Sequence, residues 1–192
     1  MAPARTEARH GSDSPTIWTI GHWTHPIGEF VKLLHGPGIE LVADVRAQPG
    51  SRRSPQFDSD DLQRSLRDAD IDYLRVPALA GRRRRQDVDP GINAAWQNAS
   101  FKNYADYTLT TGYRDGIEQL ADLARDRRVA VMCGEPVPWR CHRLIIANTL
   151  TAQEWTVLHL MPDGSTRQHE LGQWGATPVV DGDRVTYPDQ PS

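Results

Sequence analysis

Cysteine is nearly missing from this chain: only Cys133 and Cys141 stand in 192 residues. That excludes a disulfide scaffold, and two thiols so near in sequence cannot staple distant parts of the chain. Long apolar runs are missing too. No window approaches the roughly 18 consecutive apolar residues of a membrane span, and the opening MAPARTEARHGSDSP holds no apolar core of a signal peptide. A soluble, cytoplasmic protein with no membrane partner is the expectation. Nor is there an excess of one charge. At a formal net charge of −3, coating nucleic acid by bulk charge alone is excluded.

What is there reads as one globular domain, since 38% hydrophobic and 24% charged residues are ordinary proportions and the length suits a single core. Residues 1–15 are small and polar, and residues 175–192 are rich in Gly, Pro and Asp. Both ends are expected to be loosely attached, leaving a domain over 16–174. No internal repeat is present. Short β-rich runs alternate with helical patterns: TIWTI at Thr16 to Ile20, a helix through Phe30 and Leu34, LVADV at Leu41 to Val45, a helix through Leu62 and Leu66, and DYLRV at Asp72 to Val76. An amphipathic helix through Tyr113, Ile117, Leu120 and Ala124 then leads to VAVMC at Val129 to Cys133. This rhythm predicts an α/β fold with a mostly parallel sheet. Cys141 to Ala152 predicts one more helix. WTVLHL and RQHEL, joined by the turn Pro162-Asp163-Gly164, predict a C-terminal antiparallel hairpin. The stretch Gly81 to Ser100 is long, polar and without period, as functional or disordered loops are.

Reactive residue types gather just after the strands: Gly21-His22, then Arg46 through Ser51, Arg52 and Arg53, then Gly81 with Arg82 to Arg85, then CGEPVPWRCHR from Cys133 to Arg143. In a parallel sheet the carboxyl ends of the strands share one edge, and ligands bind outside it. In the last segment Pro136 and Pro138 disfavour helix and hold Glu135 at the strand end, where a carboxylate among arginines suits acid–base work. A loop-anchoring salt bridge to Arg140 or Arg143 is the competing role for Glu135. Cys141 and His142 open the next helix, where a thiol's pKa is lowered; Cys133 ends an apolar strand and reads as core. The spacing of the thiols fits neither a CxxC pair nor a zinc knuckle, so no metal ligands are assigned. Asp44, inside an apolar run, needs Arg46 or His22 as partner and would then orient rather than react. His159 and His169 belong to the hairpin and are weaker candidates. Arg46, Arg52, Arg53, Arg140 and Arg143 would make the edge positive, with Ser51 offering a hydroxyl and Tyr104 and Trp139 offering aromatic faces. Trp96, Phe101 and Tyr107 read equally well as core.

Taken together, TIGHW (Thr19 to Trp23), DVRAQPGSRRSPQF (Asp44 to Phe57), Leu79 to Gly81, YADYT (Tyr104 to Thr108) and MCGEPVPWRCHR (Met132 to Arg143) resemble the family called domain of unknown function 488, in order over roughly residues 16 to 171. Two positions depart from the family pattern: Trp23, where Ser is common, and Ala80, where a second Gly is usual. The resemblance implies a Rossmann-like three-layer domain with its site in these motifs, and it names no cofactor. The residues themselves predict an anionic ligand, a nucleic acid or nucleotide. The expected activity is hydrolysis or transfer at a phosphodiester or glycosidic bond, with Glu135, His142, Cys141 and Asp44 as the catalytic set. Gly21, His22, Arg46, Ser51, Arg52, Arg53, Gly81, Tyr104, Arg140 and Arg143 form the ligand-binding set. The alternative is a non-catalytic module that binds a phosphoryl ligand or senses oxidants or metal through its thiols.

Overall fold

The computed structural model describes residues 14–50 and 52–189. Along the chain run β1 (Thr16–Gly21), α1 (Ile27–His35), β2 (Leu41–Asp44), α2 (Ser59–Arg67), β3 (Asp72–Arg75), α3 (Ala99–Tyr107), α4 (Thr111–Asp126), β4 (Val129–Cys133), α5 (Arg143–Ala152), β5 (Thr156–Leu160), β6 (Thr166–Gln168), β7 (Val179–Asp181) and β8 (Arg184–Thr186). Six strands form one sheet in the order β3-β2-β4-β1-β5-β6. The first five are parallel and β6 pairs antiparallel with β5.

The apolar runs explain this placement. Every residue of β2 and β4 is buried, as strands covered on both faces must be. Their alternate side chains divide between two cores. Leu41, Ala43, Val129 and Val131 meet Ile117 and Leu120 of α4 and Leu144 of α5. Val42, Ala130 and Met132 meet Phe30 and Leu34 of α1 and Leu62 and Leu66 of α2. Helices thus cover both faces, giving three layers. Steps one way across the sheet, β1 to β2 to β3, carry α1 and α2 on one face. The return steps, β3 to β4 to β5, carry α4 and α5 on the other, as a single hand of crossover requires. No helix among the described residues is long and apolar enough to cross a membrane.

Two expectations change. The hairpin forms, but its second strand ends at Gln168; the next amide, of His169, still donates to the Val157 carbonyl (2.8 Å), and the His169 ring is buried. The expected loose tail is docked over much of its length. β7 and β8 pair as a second hairpin, and Val185 and Tyr187 are buried in the core. The Tyr187 amide donates to Asn93 Oδ1 (2.9 Å), and its hydroxyl accepts from Asn148 Nδ2 (2.8 Å). The same contacts anchor the long loop after Gly81: Trp96 stacks on Phe101 and meets the Tyr187 ring, and buried Asn93 donates to Asp106.

Candidate functional site

β4 leads into α5 on one face of the sheet, while its neighbours β1 and β2 lead into α1 and α2 on the other. The crevice of an open α/β sheet lies at such a reversal. Four loops meet there and are tied together by backbone hydrogen bonds. The His22 and Trp23 amides donate to the Cys133 and Gly134 carbonyls, both at 3.0 Å, and the Gly81 amide donates to the Val45 carbonyl at 3.3 Å. Glycine is needed at two of the contacts. A Cβ on Gly21 would stand 1.8 Å from the Glu135 carbonyl oxygen, and one on Gly81 would stand 2.7 Å from His142 Nδ1.

The thiols, far apart by motif spacing, lie together. A turn of 3-10 helix, Pro138–Arg140, brings the chain back so that Cys133 Sγ donates to Cys141 Sγ at 2.9 Å. Arg143 is fully buried although it opens an apolar helix. Its Nε and backbone amide donate to Cys141 Sγ (3.2 and 3.4 Å), its Nη1 to Thr19 Oγ1 (3.2 Å) and its Nη2 to the Glu135 carbonyl (2.6 Å). Burial pushes the Cys141 thiol up, but the hydrogen bond from Cys133 and the charge and hydrogen bonds of Arg143 outweigh it and bring the pKa to about 6. Its hydrogen bond to Cys141, together with burial, keeps Cys133 protonated well above the usual thiol range. His142 donates from Nε2 to the Val45 carbonyl (3.0 Å), which leaves a lone pair on Nδ1, and burial lowers its pKa. One ligand atom from each of Cys133, Cys141 and His142 lies within 4.8 Å of the others, the one such group of three among the described residues.

Asp44 has the arginine partner that its place in an apolar run called for. Its oxygens accept from Arg46 Nε, Nη2 and backbone amide and from the Tyr73 hydroxyl at 2.6 to 3.1 Å. Arg46 gives its remaining reach to the Phe57 carbonyl (2.7 Å) and to His22 Nε2 (3.3 Å). His22 stacks on Phe57 and donates from Nδ1 to the Trp23 carbonyl. Burial, with the nearby Arg46, lowers its pKa to about 4, so it is neutral. Arg46 and Arg143, expected to hold an anion, therefore spend their donors inside the protein. Tyr104 does the same: its ring is buried against His142 and its hydroxyl donates to the Leu79 carbonyl (2.7 Å). Arg83 caps the Pro77, Ala78 and Ala80 carbonyls and lies over the Tyr107 ring.

A different group faces solvent. Glu135 is exposed, and its carboxylate makes no hydrogen bond or ion pair with the described residues; the salt bridge to Arg140 or Arg143 does not form. Around this edge Arg52, Arg53, Arg75, Arg82, Arg84, Arg85 and Arg140 are exposed. Two large aromatics join them: Trp139, 36% exposed and 4.7 Å from the Trp174 ring, and Trp23, 49% exposed with a left-handed backbone at φ 41°. A non-glycine residue held there costs energy, as happens where a side chain is aimed for use. Ser51 lies outside the described residues. A cavity of about 460 Å³ lies elsewhere, between α4, the end of α5, β8 and the loop near Ile92. Among the described motif residues only Thr108 lines it, away from the strand ends.

Sequence reasoning undervalued one part of this region. A buried chain of hydrogen bonds runs from Arg143 through Thr19 Oγ1 to His159 Nδ1 (2.7 Å), from His159 Nε2 to His169 Nδ1 (3.1 Å) and from His169 Nε2 to Asn148 Oδ1 (2.8 Å). Asn148 Nδ2 then reaches Tyr187. The available signal was His159 itself, two residues after Val157 and so on the same buried strand face.

The chain matches no curated protein and no solved structure. The family model described as "Domain of unknown function DUF488" matches residues 26–150, which run from α1 through the Cys133 to Arg143 segment into α5, and the chain belongs to that family.

Proposed function

We propose that this protein is an enzyme acting on a nucleotide or a nucleic acid, hydrolysing or transferring at a phosphodiester or glycosidic bond, with Glu135 as general acid or base. The observation that carries the reading is the Glu135 carboxylate, solvent-facing and without a partner among the described residues, on a backbone pinned by Arg143. A carboxylate so placed is free to exchange a proton with a bound substrate. The exposed arginines supply charge for phosphate, and the faces of Trp23 and Trp139 supply stacking, worth about 1–3 kcal/mol per base. Glu135→Gln is expected to lower turnover by about 10²- to 10⁴-fold while leaving the melting temperature unchanged, because the side chain is exposed. The check is incubation of both proteins with labelled single- and double-stranded DNA and RNA and a nucleotide panel. Identical products from both would end the proposal.

The 2.9 Å contact between the two thiols favours a second reading, a ligand-binding module that responds to oxidants. Hydroperoxide would oxidise Cys141 to a sulfenic acid, and Cys133 would displace water from it to form a disulfide. Oxidised wild type is then expected to lose two hydrogens in intact mass and to change its affinity for a labelled oligonucleotide. Equal affinities before and after oxidation would discard this reading.

A further inference from the structure

Cys133 closes β4, the 3-10 turn returns the chain beside it, and His142 follows at the head of α5, so that two sulfurs and an imidazole share one small volume. We infer that Cys133, Cys141 and His142 bind a divalent cation of the zinc class, with the fourth coordination position open to water or to the reacting group. Two soft sulfurs and an imidazole suit zinc and not magnesium or calcium, which take oxygen. No fourth Cys, His, Asp or Glu joins the set among the described residues, and three protein ligands are what catalytic zinc sites carry.

The groups around these donors fit the assignment. A ligating histidine commonly donates its other N–H to a carbonyl, and His142 Nε2 donates to the Val45 carbonyl at 3.0 Å, leaving Nδ1 as the donor nitrogen. Ligating thiolates accept hydrogen bonds, and Cys141 Sγ accepts from the Arg143 amide and Nε. Gly81 keeps the space beside Nδ1 clear, since any Cβ there would stand 2.7 Å from that nitrogen. Bonds of about 2.3 Å to a tetrahedral ion place two sulfurs roughly 3.7 Å apart. The thiols, now at 2.9 Å, must therefore part somewhat as the ion replaces the proton between them. Thiol protons leave to solvent and no electron is transferred. The ion's service, lowering the pKa of a bound water to about 7 for Glu135 to deprotonate, rests on the hydrolytic reading above. The binding site does not.

The test uses the full chain, reduced and stripped of metal by a chelator, titrated with Co²⁺ as an optical probe and then with Zn²⁺. One equivalent of Co²⁺ is expected to give thiolate charge-transfer and tetrahedral bands that Zn²⁺ abolishes, and Zn²⁺ is expected to shield both thiols from alkylation. Cys133→Ser, Cys141→Ser and His142→Ala should each lose the bands. Gly81→Ala, which removes no donor, should weaken binding by about 10- to 100-fold. Folding of each variant is followed by circular dichroism, and the alkylation assay on wild type needs no variant. Absence of the bands, or alkylation of both thiols at the same rate with and without Zn²⁺, overturns the site. Bands without turnover on any nucleotide would leave the site standing and remove the proposed function. Turnover that survives chelation would do the reverse for the ion's role.

Discussion

Gly21→Ala is expected to cost more stability than Ala at any other described glycine, about 4–5 kcal/mol or more. The new Cβ would lie 1.8 Å from the Glu135 carbonyl oxygen, 2.7 Å from its carbon and 2.9 Å from Arg143 Nη2. None of these can step aside cheaply. The Glu135 carbonyl is backbone and accepts from Arg143 at 2.6 Å, and the strand pair is pinned on both sides of the contact. Gly21 is in register with Cys133, and the next two amides, of His22 and Trp23, donate to the Cys133 and Gly134 carbonyls. Relief requires β1 and β4 to separate at the site, or the loop to lift away with Arg143. A domain of ordinary stability has about 5–15 kcal/mol to lose, so the variant should be marginal or unfolded at 37 °C. Gly28→Ala is the control. Nothing lies within 4 Å of its added Cβ and the residue sits in α1, so it should be neutral or stabilising by up to about 1 kcal/mol. Urea midpoints for the two variants provide the check. A wild-type midpoint for Gly21→Ala would show that the close approach of β1 to the loop is not a constraint on the fold.

That contact also marks the limit of what the chain reveals before it folds. The strands and most helices are legible because apolar residues repeat with the right period: VAVMC is β4 residue for residue, and Leu62 with Leu66 marks the buried face of α2. The convergence of the loops follows from parallel topology, so Glu135 and the arginine clusters could be assigned to one edge. What periodicity cannot supply is the direction of a side chain in a loop. Arg46, Arg143 and Arg140 look alike as charges, yet Arg46 and Arg143 are buried and paired while Arg140 is exposed. The difference lies in their partners, Asp44 two residues before Arg46 and the thiolate two residues before Arg143. Motif spacing failed for the cysteines for a related reason. The known spacings describe tight knuckles, whereas here a strand end and a returning 3-10 turn close the gap. The tail misled by composition: Gly, Pro and Asp set the average, but Val185 in β8 and Tyr187 just past its end are what dock it.

The buried histidines are expected to make the protein acid-labile, in a window that the Cys141 thiol also enters. Burial lowers the pKa of His159 to about 3, with help from His169 and Arg143, and burial lowers that of His169 to about 4; His22 is lowered to about 4 as well. The hydrogen-bond chain explains why the pair resists protons. Asn148 Oδ1 can only accept, so His169 Nε2 carries the hydrogen and its Nδ1 accepts from His159 Nε2, whose own Nδ1 accepts from Thr19. Every ring nitrogen is already used, and an added proton on His169 Nδ1 would set two donors against each other in a buried site. In the unfolded chain each histidine titrates near 6.5. The folded pKa is the lower one, so the unfolded state binds more protons as the pH falls. The stabilisation is complete above about pH 6.5 and drains away from there toward pH 4. Between pH 6.5 and 5 the loss is roughly 1.5–2 kcal/mol per histidine, about 5 kcal/mol for three independent groups, and aspartates and glutamates contribute little until lower pH. Unfolding free energies from urea melts at half-unit steps from pH 7.5 to 5 should therefore fall steeply, with proton uptake on unfolding approaching three from these groups and raised further by His142, whose pKa burial also lowers. Removing the pair with His159→Leu and His169→Leu together should lower the slope by about two protons, leaving the share of His22 and His142, even if it lowers stability at pH 7. A flat wild-type profile, or a double variant with the wild-type slope, would mean that the chain from Arg143 to Tyr187 accepts a proton without cost.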